Sequence, residues 1–151
     1  MKPTQILAPT DFSHHAESAV KSAFELADQF GATVHLLHVL AEPVTAIAPE
    51  PIVVAAPPPE FYQESEKSCL EALQKQVAEQ GRPSVKVEKK VLWGSPVDGV
   101  LDYATKNGID LIVVSTHGRS GLAHVLLGSV AESIVRHAPC PVLTIRDTRK
   151  D

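Results

Sequence analysis

The apolar positions in the first forty residues change period twice, and each change marks an element. Gln5-Ile6-Leu7-Ala8 is a short apolar run that Pro9 stops, which predicts a buried strand. Asp11 and Ser13 are both competent helix N-caps, and Ala16, Ala19, Val20, Ala23, Phe24, Ala27 and Phe30 then recur at steps of three and four. That spacing puts one apolar stripe on a helix, and Gly31 stands where a left-handed C-cap is needed. Thr33-Val34-His35-Leu36-Leu37-His38-Val39-Leu40 is mostly apolar on both parities, as expected of a central strand covered on both faces.

From Glu42 to Glu60 no period survives, and Pro43, Pro49, Pro51, Pro57, Pro58 and Pro59 supply half of the chain's 12 prolines. Residues 42–60 are therefore read as a long Pro-rich loop. Leu70, Leu73 and Val77, with Cys69 and Tyr62 nearby, mark one face of a second helix that Gly81-Arg82-Pro83 ends. Val85, Val87 and Val91 alternate with Lys86, Glu88 and Lys90, which predicts an edge strand with one wet face. Ser95 and Pro96 suit the cap and first position of a third helix carrying Val97, Val100, Leu101 and Ala104 as far as Asn107-Gly108. Residues 109–115 form a further buried strand that runs into Thr116-His117-Gly118-Arg119-Ser120-Gly121. Gly128-Ser129 opens a last helix to about His137, Pro139-Cys140-Pro141 breaks it, and Val142 to Arg146 is the final strand. The order βαβαβαβαβ predicts an α/β fold, a parallel, doubly wound sheet with helices on both faces, as one domain over residues 1–151.

Composition narrows the function classes. With 44% hydrophobic and 21% charged residues and a mean hydropathy of +0.01, the chain has ordinary globular make-up. A net charge of −4 and a pI near 5.9 leave no basic footprint, so nucleic acid is not an expected partner. No apolar run approaches the roughly 18 residues of a membrane span, and Met1 to Gln5 leads into a strand rather than a signal-peptide core. The two cysteines, Cys69 and Cys140, lack CxxC or metal-ligand spacing, so a reducing cytoplasm is the expected compartment.

In a sheet of this kind ligands sit beyond the carboxyl ends of the strands, where strand order reverses. Two loops reach that place. Pro9-Thr10-Asp11-Phe12-Ser13 offers a carboxylate that can accept from a ribose hydroxyl or a base amine, although Asp11 and Ser13 equally suit capping the first helix. The second loop carries Gly118, Gly121 and Gly128 and ends with Ser129 at a helix start. A helix N-terminus presents N–H groups and partial positive charge to an anion, and Arg119 can add a bidentate phosphate contact. Turn and packing glycines are the competing reading. The common fingerprints are absent: there is no Gly-x4-Gly-Lys-Ser/Thr, and Gly118-Arg119-Ser120-Gly121 neither forms GxGxxG nor follows the first strand. Ser120 lacks the spacing of a hydrolase nucleophile elbow. His35 and His38 are an odd number apart on one strand and so point to opposite faces, which rules out joint chelation, and no metal site is expected.

Ser115-Thr116-His117-Gly118, nine further residues and then Gly128-Ser129-Val130-Ala131-Glu132 resemble the universal stress protein family. The resemblance spans nearly the whole chain, through Pro9-Thr10-Asp11-Phe12-Ser13, His38-Val39, Gly94-Ser95-Pro96 and the closing stretch from His137 to Leu143. It implies a Rossmann-like five-stranded sheet of order 3-2-1-4-5 and a homodimer through the last strand, residues 142–146. In one branch of the family it also implies ATP, with Mg2+, at the switch point between strands 1 and 4. That branch's signature is Gly, two residues, Gly, nine residues, Gly, then Ser or Thr; here Ser115 takes the first glycine's place. Carried over, Pro9, Thr10, Asp11 and Val39 surround the adenosine, with the Val39 backbone meeting the base. Ser115, His117, Gly118, Arg119, Gly128, Ser129 and Val130 line the phosphates.

The leading expectation is a nucleotide-binding stress-response or regulatory protein. The alternatives are a nucleotide-free dimeric interaction protein, which Ser115 favours, and a slow ATPase, for which His117 is the one candidate base in the loops. A glycine at the strand exit serves a positive φ or a close backbone approach, so Ser115 either carries strain or keeps φ negative, while Gly128 either brings its N–H toward the phosphates or serves packing.

Overall fold

The computed structural model describes residues 2–43, 56–116 and 128–146. In chain order the elements are β1 (Gln5–Pro9), α1 (His14–Phe30), β2 (Thr33–Leu40), α2 (Pro59–Glu79), β3 (Lys86–Trp93), α3 (Pro96–Lys106), β4 (Leu111–Ser115), α4 (Ser129–His137) and β5 (Val142–Ile145). The five strands form one parallel sheet of order β3-β2-β1-β4-β5, a Rossmann-like α/β arrangement. Pro9 closes β1, and its missing N–H leaves no donor for the ladder to β4, which ends at Leu7 with Ile112.

The apolar stripe foreseen for α1 is buried from Ala16 to Ala27, with Phe30 half-buried in the last turn. Ser13 caps this helix, its Oγ accepting from the Ala16 N–H at 3.2 Å, and Gly31 ends it at φ +70°. Ile6, Ala8, Val34, Leu36 and Val113 pack against α1 and against Leu73 of α2. The alternate residues Leu7, Leu37, Ile112 and Val114 pack against Val100 and Ala104 of α3 and Ala131 and Ile134 of α4. Each large side chain so buried contributes about 1.5–3 kcal/mol relative to exposure, and this two-sided core fixes the register of the inner strands.

Helix α2 departs from the expectation in two ways. Helix α2 begins at Pro59, inside the stretch read as loop, because a proline at the first helical position sacrifices no intrahelical bond. Leu70 is exposed rather than on the buried face: α2 lies toward the sheet's edge and buries Leu73 and Gln76, with Val77 packed alongside. The predicted edge strand is β3, where Lys86, Glu88, Lys89 and Lys90 are exposed. Among the described residues no helix is long and apolar enough to cross a membrane.

The amino-terminal end of the sheet is tied by polar side chains. The Asp110 carboxylate accepts from the Thr4 N–H (2.8 Å), the Thr4 hydroxyl (2.7 Å) and the Gln5 N–H (3.1 Å), just before β4, which begins at Leu111 rather than at Ile109. Burial alone would raise this carboxyl's pKa, but the bonds from Thr4 and Gln5 outweigh it and hold the group below its ordinary value. The buried His35 ring bridges Gln5 Oε1 (2.7 Å from Nε2) and the Tyr103 hydroxyl (3.0 Å from Nδ1). One neutral tautomer satisfies both contacts, donating from Nε2 and accepting at Nδ1. Burial lowers the His35 pKa against the opposing charge of Glu88, and the same burial, helped by Glu88, raises that of Tyr103.

Candidate functional site

The opposite, carboxyl end of the sheet opens beside β1. The Thr10 N–H donates to the Leu37 carbonyl, and the Gly94 N–H donates to the Leu40 carbonyl, each at 2.8 Å. In a parallel ladder the N–H and C=O of one residue share a side and those of the next turn the other way. Leu37 therefore faces β1 and Leu40 faces β3, which turns the Val39 backbone toward β1. The last pairing of β1 with β2 is Pro9 with Leu37, so the N–H and C=O of Val39 point into the gap beyond the end of β1.

On the far side of that gap stands Ser115. The register Ile6 with Leu111 and Leu7 with Ile112, carried forward, sets Pro9 beside Val114 and makes Ser115 the next residue out. Ile112 and Thr116 donate to Pro141 and Ile145 on the β5 side, so the backbone of Ser115 faces β1. Val39 and Ser115 thus flank the end of β1, the point at which strand order reverses and where ligands of such sheets bind.

The loop leaving β1 is built by its own side chains. Thr10 is buried, and its hydroxyl accepts from the Phe12 N–H at 3.1 Å. Asp11 Oδ1 accepts from the Ser13 N–H at 3.0 Å, so Asp11 orders the turn and Ser13 caps the helix; the two roles left open by the sequence are divided between them. Phe12 has φ +61°, the one positive φ at a non-glycine among the described residues, a geometry that costs an L-residue roughly 1–2 kcal/mol. Its ring lies 4.5 Å from that of His38, whose Nδ1 is 2.8 Å from the Thr10 carbonyl oxygen.

Across the gap, α4 starts at Ser129 with Gly128 as its N-cap, a residue with no side chain to cap the helix. Gly128 has φ −66° and ψ 153°, angles open to any residue, so a positive φ is not the reason for a glycine here. Its N–H donates to the Thr116 carbonyl at 2.7 Å, a backbone bond consistent with the packing role left open for it. Ser129 and Val130 are exposed at the start of the helix. Ser115, within β4 and paired with Ile145, is extended and carries none of the left-handed strain considered for it. His117, Gly118 and Arg119 lie outside the described residues.

The structure therefore brings Pro9, Thr10, Asp11, Val39, Ser115, Gly128, Ser129 and Val130 to the carboxyl end of the sheet. The two strand histidines diverge as expected, His35 toward Tyr103 of α3 and His38 toward Phe12. Sequence reasoning missed Gly99 in α3: a Cβ there would meet Val39 Cγ2 at 2.9 Å, so the missing side chain lets α3 lie against Val39. A glycine inside a helix, at a cost of about 1 kcal/mol, was the available signal.

Comparison with known proteins bears on this arrangement. Residues 3–146 match the model of the universal stress protein family. A universal stress protein of Methanocaldococcus jannaschii is 33% identical over 148 residues, 97% of this chain and 84% of that protein. The universal stress protein UspA from Lactobacillus plantarum superposes with a TM-score of 0.80 at 27% identity, covering 97% of this chain and 99% of that one. The universal stress protein from Archaeoglobus fulgidus, solved in complex with dAMP, shares the fold with a TM-score of 0.65 at 23% identity over 96% of this chain and 99% of its own. With a family match running from the first strand to the last, this chain belongs to the universal stress protein family.

Proposed function

We propose that the gap beyond β1 binds an adenine nucleotide, ATP with Mg2+, and that the protein acts in the stress response by its nucleotide occupancy rather than by rapid catalysis. The observation that carries this reading is the direction of the Val39 backbone: a donor and an acceptor, side by side, face the space that β1 vacates. An adenine edge offers the matching acceptor and donor. Asp11 stands next to that space to accept from a ribose hydroxyl or the base amine, and the first turn of α4 supplies Ser129 and Val130 for the phosphates. His117, Gly118 and Arg119 complete the phosphate loop in this reading, and Gly128 shapes it through its bond to Thr116. The A. fulgidus relative solved with dAMP supports an adenine ligand.

Mg2+ enters with the phosphates rather than on a protein cage, since among the described residues no three His, Cys, Asp or Glu side chains gather to hold a metal. We further propose a homodimer through β5, whose edge carries Leu143 and Thr144 exposed and none of the charges that guard β3. The departure at Ser115 favours a second reading, a nucleotide-free dimer. Thermal unfolding separates the two. At MgATP about 100 times its Kd, stabilisation of roughly 2.7 kcal/mol raises the melting temperature by about 5–11 °C. A melting curve unmoved by millimolar MgATP selects the nucleotide-free dimer.

A further inference from the structure

We infer that His38 is a positioning residue for this gap: its imidazole locks the Thr10 to Ser13 turn in the shape the nucleotide meets. The inference rests on the nucleotide reading above and adds to it the residue that sets one wall of the site.

Three consecutive residues at the tip of β2 act on that wall. Leu37 accepts from the Thr10 N–H, the His38 side chain reaches the Thr10 carbonyl, and Val39 turns its backbone to the gap. A carbonyl oxygen only accepts, so the His38 Nδ1 carries the proton and the tautomer is fixed. Thr10 is thereby held at both its N–H and its C=O by one neighbouring strand. The second contact is to Phe12. Its left-handed backbone is a geometry that glycine or asparagine adopts more readily, and nothing in its residue type calls for it. Phe12 stays there because its N–H is taken by the Thr10 hydroxyl and its ring lies against the His38 ring, tilted by 40°, and against the core packed on α1. Asp11 sits between Thr10 and Phe12, so the two contacts of His38 bracket it.

An imidazole meets both demands at once, a donor at Nδ1 and a flat ring for Phe12, and the demands separate by substitution. His38→Asn places an amide N–H close to where Nδ1 stood and keeps the donor; His38→Phe keeps the ring and loses it. Two readouts are needed, backbone 15N order parameters without ligand and MgATP titration calorimetry. In wild type and His38→Asn the Asp11 and Phe12 amides have order parameters near ~0.85, and in His38→Phe they fall below ~0.6. MgATP affinity drops about 10-fold in His38→Phe and stays within about 3-fold of wild type in His38→Asn, as loss or retention of one hydrogen bond implies. Should His38→Phe be too unstable to study, His38→Met, which fills a similar volume without a donor for the Thr10 carbonyl, loosens the same amides and weakens MgATP about 10-fold. Equal weakening in His38→Asn and His38→Phe, or a loosened turn with unchanged affinity, overturns the positioning role. A wild type with no MgATP affinity overturns the nucleotide reading itself, an outcome distinct from a wild type and a His38→Phe variant that bind equally well.

Discussion

The two ends of the sheet use polar residues in opposite ways. At the amino-terminal end, Thr4, Gln5, His35, Tyr103 and Asp110 satisfy one another across β1, β2, α3 and the start of β4. At the carboxyl end the internal bonds go to shaping a turn, while the Val39 backbone is aimed past the end of β1 and α4 begins there at Ser129. A polar group whose partners are all protein contributes to stability, and one directed beyond the end of a strand is available to a ligand. The same residue type tells the cases apart: Asp110 accepts three bonds from β1 and its flank, whereas Asp11 spends Oδ1 on its own turn.

Substitutions at the two ends therefore separate stability from binding. The largest stability effect belongs to Asp110→Ala, which removes three hydrogen bonds to a carboxylate and leaves the Thr4 and Gln5 donors to water. With partial exposure discounted, a loss of about 2 kcal/mol is expected, lowering the melting temperature by roughly 4–8 °C. MgATP affinity of the folded protein stays at the wild-type value. Asp11→Ala has the reverse signature, with MgATP affinity down about 10-fold by calorimetry, the equivalent of one hydrogen bond to a charged group. Its melting temperature without ligand falls by less than that of Asp110→Ala.

A gentler probe of the amino-terminal end is pH. Because burial depresses the His35 pKa in the folded state, the unfolded chain binds the proton more readily. Its contribution to stability is complete above the ordinary value of 6.5 and is lost as pH falls from there through the lowered folded value. Asp110, also depressed, contributes above its ordinary 3.8 and loses that contribution in stronger acid. Denaturant melts of His35→Gln from pH 7 to 5 should show a shallower loss than wild type; parallel curves would remove His35 from the account.

The smallest effect is expected at Ser115. Since its backbone is extended in β4, Ser115→Gly relieves no strain and changes MgATP affinity by less than about 3-fold, under the 1–2 kcal/mol that a left-handed serine would release. A tightening of 10-fold or more would show that the serine side chain crowds the ligand.

Local features of this chain were legible because local physics decides them. The stripe of α1, its Ser13 and Gly31 caps and the alternation of β3 are all set within a few residues. Strand order came from resemblance, because nothing in the spacing of the strands distinguishes 3-2-1-4-5 from its competitors. Long-range polar partnerships stayed invisible: Thr4 and Asp110 meet across 106 positions, and His35 meets Tyr103 across 68. At the site, the loops were foreseen but not the division of labour within them. Phe12 gives no sign of its left-handed backbone, which His38 and the core impose from outside. The Gly128 amide, open between ligand and packing in the sequence, meets the Thr116 carbonyl 12 positions earlier.

Backbone 15N–1H spectra of the wild-type protein recorded through a MgATP titration test the division between the two ends most directly. Saturable shifts are predicted at Asp11, Val39, Ser115, Ser129 and Val130, with Thr4, Gln5, His35, Tyr103 and Asp110 unmoved. Shifts confined to the amino-terminal end, or none at either end at millimolar MgATP, would contradict the assignment of the carboxyl end to a nucleotide.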